Sequence, residues 1–446
     1  MIATDFLKNN FQMLGLLIIW SIAGAFTGPG VFLIIPASLF LLFSANRFQE
    51  IFIGFIFILI LSDSLEIQMS FAKSFKNIYI LMLFFFLIIT MQKQERIVKL
   101  YQYFVPFFIF ALIGLLYSPI FTTSFQKLLS YFLLFIAVPN YVIRSYDEHG
   151  TNFLRNLVYF LFSIVIIGFL MRFYNSEIAF SHGGRLRGMF GNPNGLGIFM
   201  ILFFILFTII NSKYPELFSR NEKIILFLIM FYVLYKTGSR TALLAVVLFY
   251  GFNQLFKYSS FLGFLAFFLI LVSMEVIIIY LPKIIISLGL SQSLRLETLE
   301  EGSGRLIAWE FAWKNIQDSF FIGKGMGYDE NLMRKNYEML SKAGHEGGVH
   351  NTYLIVWLNT GLFGLFAFLR GLILIFIKGS RYNTYAFPTL FAVMFSINFE
   401  PWLAASLNPY TILFLIIVTL LTEDLFNIET EEPTENEKVE TVTEVG

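Results

Sequence analysis

Proton transfer at neutral pH is chemistry that few side chains in this 446-residue sequence can perform. It has no cysteine and four histidines, His149, His182, His345 and His350. His350 stands directly before the apolar run NTYLIVWLNTGLFGLF, at the expected start of a helix. Its unperturbed pKa near 6.5 lets it accept a proton without special tuning, although its position also fits a plain interfacial polar residue. His182 and His345 lack such a setting and read as surface residues. So few histidines, with no thiolate, leave little material for a metal centre, and none is expected.

Arginine is the second resource. GGRLRGMFGNPNGLGIFM sets Arg185 and Arg187 just before an Asn-Pro-Asn-Gly turn. Asn192 or Asn194 can cap the helix that follows, and Pro193 suits its first turn. YKTGSRTALLAVVL repeats the arrangement with Arg240 at a helix start, and GSGRLIAW supplies Arg305. Helix N-termini attract anions, and a guanidinium grips phosphate through a planar fork. Contact with lipid headgroups is the plainer use of the same arginines. Four arginines with one histidine fit a lipid diphosphate better than any metal hydrolase.

The elements that carry these residues are set by composition. Hydrophobic residues make up 57% and charged residues 14%, against about 25% charged in a soluble globular protein. The solvent for most of the chain is therefore lipid. A helix needs roughly 20 apolar residues to cross the hydrocarbon core, and about fourteen such runs occur, at 11–26, 30–45, 49–63, 75–92, 101–117, 124–143, 152–173, 194–211, 222–236, 239–256, 261–281, 351–377, 384–399 and 404–424. Several are short, so the expected fold is all-α with 12–14 membrane helices. The first run has no small-residue cleavage site after it and reads as a retained helix.

Charge gives the orientation. Nine of the 30 acidic residues but one of the 31 basic ones lie from Glu423 onward, so the rest carries a net charge of +9. Loops holding Arg47, Lys93/Arg96/Lys99, Arg144, Lys213/Arg220/Lys223, Lys257 and Lys378/Arg381 fall on one side, which the positive-inside tendency makes cytoplasmic, with both termini. The connections 27–30, 118–123 and 398–403 are almost charge-free, as outer loops should be. Arg185, Arg187, Lys236, Arg240 and Arg305 break the pattern by lying outside. The chain thus divides into membrane helices over 1–281, a long outer loop over 282–350, further membrane helices over 351–424 and an acidic, disordered cytoplasmic tail over 425–446.

Within the outer loop, Leu306, Trp309, Trp313, Ile316 and Phe320 recur at helical spacing and predict a helix of about five turns, its aromatic stripe laid on the membrane interface. Gly323, Gly325 and Gly327 in GKGMGY end it. No strand precedes these glycines and no Lys-Ser/Thr follows, so a nucleotide loop is a poor reading beside a turn that folds the chain back. A second polar helix is expected over about 329–342, leading through HEGGVH to the next span. The loop holds eight Lys/Arg against nine Asp/Glu and is no polyanion-binding flap in bulk. Nothing points to nucleic acid.

Four segments in this order, RLRGMFGNPNGLG, GSRTALLA, SGRLIAWEFAW…FFIGKGMGY and VHNTYLIVWLNTGLFGL, resemble the O-antigen ligase and O-antigen polymerase family of bacterial membrane glycosyltransferases. They cover roughly residues 185–370, and the earlier spans match in hydropathy alone. The resemblance implies a GT-C-like helical fold in the bacterial inner membrane with its active site on the outer face. It implies a glycan donor on undecaprenyl diphosphate, an acceptor glycan or lipid, and no cofactor. The family's essential histidine falls on His350, and its diphosphate-binding arginines fall on Arg187 or Arg185 and on Arg240; Arg305 matches the loop motif.

The chemistry agrees with that implication. Diphosphate leaves readily, whereas a sugar hydroxyl needs its proton removed, so one base suffices, and direct displacement would invert the anomeric centre. A polymerase joining repeat units is favoured slightly over a ligase acting on lipid A core or protein, since no docking surface for a large core is evident. A transporter or flippase is the competing class, but it would carry ionisable residues at mid-membrane. Here Asp63, Arg172 and Glu400 fall near span ends, and Glu275 alone lies well inside a run. A scaffold with an acidic tail is the remaining reading.

Overall fold

The computed structural model describes residues 2–93, 96–181, 183–270, 286–287 and 304–426. His182, Glu275, Pro282 and the acidic tail from 427 lie outside the described residues. Helices joined by turns make up nearly all of the rest, with an isolated antiparallel bridge between Phe180 and Leu186. Each of the fourteen apolar runs falls on a helix, the eleventh being described to Ile270. The all-α, multi-pass membrane architecture is therefore as expected. Among the described residues, five helices are long and apolar enough to cross a membrane: Ile67–Thr90, Phe121–His149, Thr151–Tyr174, Pro193–Lys213 and Thr352–Ser380. Six shorter apolar helices accompany them.

Burial sorts the helices into centre and rim. Phe48–Asp63, Pro193–Lys213 and Pro409–Thr422 are apolar all round and buried along most of their length, as helices at the centre of a bundle must be. Around them, helices such as Arg220–Thr237 bury Leu226, Met230 and Val233 and leave Ile224, Ile225, Leu228 and Phe231 exposed. An exposed apolar face of that kind suits lipid.

The bundle has two chemically different ends. At one, Tyr146 and Tyr214 share a hydrogen bond of 2.9 Å, Lys378 meets Glu423 at 2.9 Å and Arg144 reaches Thr90. At the other, Asp63 accepts from Gly191 N at 3.1 Å and from the Tyr410 hydroxyl at 2.8 Å, while Lys76 donates to the Leu407 carbonyl at 2.9 Å. The Asn-Pro-Asn turn, His350 and the starts of four helices gather at this second end.

The loop helices differ from expectation. The first spans Arg305–Gln317, 13 residues and not five turns. It packs through Ala308, Ala312 and Ile316, while Leu306 is 63% and Trp313 41% exposed. Small residues win because they let two helices approach closely, which a stripe of large ones does not. Trp313 and Phe320 pack edge-on against Trp357 of the Thr352–Ser380 helix, so this aromatic cluster joins two parts of the protein. The second polar helix is two, Tyr328–Lys335 and Tyr337–Lys342, broken at Asn336.

The Thr352–Ser380 helix is itself interrupted at Gly361, whose φ of 74° and ψ of −179° no helix accommodates. The GKGMGY turn fills the gap. Leu362 N donates to Phe320 O at 2.9 Å, Lys324 N to Leu358 O at 3.2 Å and Gly325 N to Asn359 O at 2.9 Å. These bonds satisfy backbone groups that the break would leave bare in an apolar setting. Any Cβ on Gly323 or Gly361 would lie about 2.2 Å from the facing backbone, so both positions require glycine.

Candidate active site

Helix starts deliver most of the candidate residues. Asn192 caps Pro193–Lys213 by accepting from Gly195 N at 2.8 Å, with Pro193 in the first turn. Ser239 caps Arg240–Tyr258, Arg305 opens Arg305–Gln317 after Gly304, and Asn351 caps Thr352–Ser380 by accepting from Leu354 N at 3.0 Å. Serine and asparagine do this because their short side chains reach the orphan amides of the first turn.

Arg185, Arg240, Arg305 and His350 line one cavity of about 330 Å³, together with Asn194, Ser239, His345 and Glu346. The structure thus brings together residues spread over 165 positions of sequence. Because the first residues of three helices contribute to its wall, partial positive charge from their termini adds to the guanidinium charges. Such a wall suits an anion.

Arg187 does not join the cavity. Its Nε donates to Ile178 O at 2.9 Å and its Nη2 to Glu177 O at 3.0 Å, closing the last carbonyls of the short Ser176–Ala179 helix. It borders a separate, wider cavity of about 1380 Å³. In the RLR segment the residue turned to His350 is therefore Arg185, which bonds Thr237 O at 2.7 Å and Asn194 Oδ1 at 2.6 Å. Asn194 is not the cap that its spacing also allows; it bridges Arg185 to Glu400 Oε1, donating at 3.0 Å.

Glu400 is the residue that sequence reading passed over. Pro401 keeps the preceding residue extended, and Glu400 accordingly ends the Ala386–Phe399 helix at φ −140°, ψ 144°. Its side chain is 6% exposed and accepts from Arg305 Nη2 at 2.7 Å through the oxygen that Asn194 also bonds. Its other oxygen faces His350 Nδ1 at 3.8 Å. One carboxylate thus ties Arg305, Asn194 and, through Asn194, Arg185 to the neighbourhood of His350. The signal available in sequence was a lone acid beside a proline in an otherwise charge-free connection.

His350 adopts φ +52°, the left-handed region, which is uncommon for a residue with a side chain. Its Nδ1 is buried without a hydrogen bond, and its Nε2 sits 2.9 Å from where a Cβ on Gly347 would lie. The ring's outer nitrogen is accessible because residue 347 has no side chain.

His345 corrects another expectation: it is 3% exposed, not a surface residue. Burial holds its pKa below the usual value, against the opposing hydrogen bond from its Nε2 to Gly348 O at 3.1 Å. Its ring stands edge-on to His350 at 6.0 Å. Among the described residues no three His, Asp or Glu side chains converge as metal ligands would.

Residues 225–369 match the model of a family described as O-antigen ligase, and comparison with curated proteins finds no match. The matched stretch includes Arg240, Arg305 and His350 and leaves Arg185, Asn194 and Glu400 outside it. Three of the four motifs lie in that stretch, so the match agrees with the family resemblance read from them, in a chain whose helices are those of a multi-pass membrane protein.

Proposed function

We propose that this enzyme transfers a glycan from undecaprenyl diphosphate to an acceptor sugar hydroxyl, extending surface polysaccharide at the outer face of the bacterial inner membrane. The convergence of three arginines and His350 on one cavity supports it most strongly. In this reading Arg185, Arg240 and Arg305 hold the donor's diphosphate. The acceptor oxygen attacks the anomeric carbon as its proton passes to His350 Nε2. The bond from that carbon to the diphosphate oxygen breaks, and its electron pair leaves with the diphosphate. Attack opposite the leaving group inverts the centre.

Each group has a physical task. His350 as general base contributes about 10²–10⁴ in rate. The arginines neutralise charge that grows on the departing diphosphate, where fixed charges act without reorganising. Glu400 stabilises the protonated imidazole from the Nδ1 side and fixes which nitrogen is left to accept a proton. The contact of 3.8 Å is long for a hydrogen bond, and such contacts tighten when substrate binds.

A purified preparation in lipid bilayers, given a lipid-linked repeat unit, tests this directly. A ladder of products marks a polymerase, and a single addition to lipid A core or another acceptor marks a ligase. Failure to consume the donor with either acceptor present overturns the proposal.

A further inference from the structure

A second cavity, of about 440 Å³, shares its wall with the arginine cavity. Glu346 and His350 line one, while Gly348 and Val349, between them in sequence, line the other. Pro401 enters this second wall directly after Glu400. A ligand here would lie against the segment that carries the proposed base.

The lining differs from that of its neighbour. It contains no aromatic ring and no arginine. Its polar groups are two lysines, Lys76 and Lys127, two carboxyls, Asp329 and Glu330, the amides of Asn77, Gln126, Asn359 and Asn408, and the hydroxyls of Thr123, Ser130 and Ser406. Asn359 exchanges hydrogen bonds with Asp329, giving 2.9 Å to its carboxylate and taking 3.2 Å from its amide. Lys76 donates to Leu407 O at 2.9 Å, and Lys127 pairs with Glu330, whose side chain is 66% exposed. Both lysines lie at the end of the bundle that holds His350, against the preference that keeps lysine on the cytoplasmic side.

That lining has no ring on which to stack a neutral sugar face. It offers amides to hydroxyls and ammonium groups to an acid. The lysines' single-point charges do not demand the bidentate geometry of a diphosphate. We propose that this cavity holds the acceptor glycan and selects a sugar bearing an acid group, a carboxylate or phosphate, for Lys76 and Lys127. The acceptor role rests on the reading of the arginine cavity as the donor site.

Titration of the full-length protein in phosphatidylcholine nanodiscs tests it, with a trisaccharide containing one glucuronate and its carboxyl-reduced counterpart as probes. Wild type should bind the acid form about tenfold tighter, the loss expected for one charge-assisted hydrogen bond. Lys127→Gln should erase that preference, and Arg240→Ala should keep it. Lys76→Gln should weaken it and Lys76→Arg retain it, which separates lost charge from lost folding. Equal binding of the two sugars by wild type, or a preference that survives in Lys127→Gln and vanishes in Arg240→Ala, overturns the proposal. A wild type that binds with this preference yet transfers nothing from a lipid-linked donor overturns the transferase reading alone and leaves the acid-sugar site standing.

Discussion

His350 Nδ1 stands 3.8 Å from Glu400 Oε2, about an ångström longer than a hydrogen bond. The carboxylate is held there by Arg305 and Asn194 on its other oxygen. It cannot swing away without breaking both bonds, so closing the gap falls to the imidazole. That asymmetry makes Glu400 a positioning residue whose loss should differ in kind from loss of the histidine.

His350→Ala should lower glycan transfer by about 10²–10⁴, the contribution of a general base, with normal expression and insertion. Glu400→Gln should lower kcat by less and also weaken donor binding, since Arg305 loses its charged partner. Transfer rates and KM from lipid-linked donor in membranes decide between them. An alanine variant at 350 that turns over like wild type removes the histidine from the mechanism.

Arg185→Lys and Arg240→Lys should each lose most activity although the charge is kept, because a planar fork fits a diphosphate and an ammonium does not. Arg187→Lys should spare donor binding, as its guanidinium is committed to Glu177 and Ile178 carbonyls. If lysine serves at both 185 and 240, the bidentate picture fails.

Gly347→Ala tests the approach to His350 Nε2. The glycine has φ +139°, and an added Cβ would sit 2.9 Å from that nitrogen. Transfer should collapse while binding of the lipid-linked donor persists. Retained turnover would mean that the proton leaves by another route.

With no native cysteine in the sequence, single-cysteine labelling can establish the sidedness. A cysteine at Ser341 should react with an impermeant reagent from outside, and one at Lys213 or Lys378 from the cytoplasm alone. Labelling of Ser341 from within would invert the proposed active face.

Transfer by the purified protein should continue in chelator and without nucleotide, because arginines supply the positive charge and the diphosphate bond already carries the energy. Strict dependence on a divalent ion with a defined donor would implicate Glu346 or Glu400, the carboxylates nearest His350.

The membrane helices were legible because hydropathy and length are local properties. His350, Arg240 and Arg305 were legible too, since each sits in a short motif at a helix start. Glu400 was not: its partners lie 50, 95 and 206 positions away in sequence, and only the fold makes a lone acid in a charge-poor turn the hub of the site. The choice between Arg185 and Arg187 rested on which helix end each side chain caps. Packing of Arg305–Gln317 through alanines was hidden because large residues dominate a hydropathy pattern, whereas close approach favours small ones. Lys76 and Lys127 carried an unread signal as basic residues on the side where the positive-inside tendency expects few.

The break at Gly361 bears on engineering. A membrane helix whose backbone is completed by the GKGMGY turn has no finished form of its own, and the turn has no fixed shape without the helix. Chimaeras that swap the segment around GKGMGY between related proteins should therefore fail to assemble unless the graft also carries the span from Thr352 past Gly361. The exchangeable unit is a loop together with half a transmembrane segment, and efforts to transplant acceptor preference would begin from that cassette.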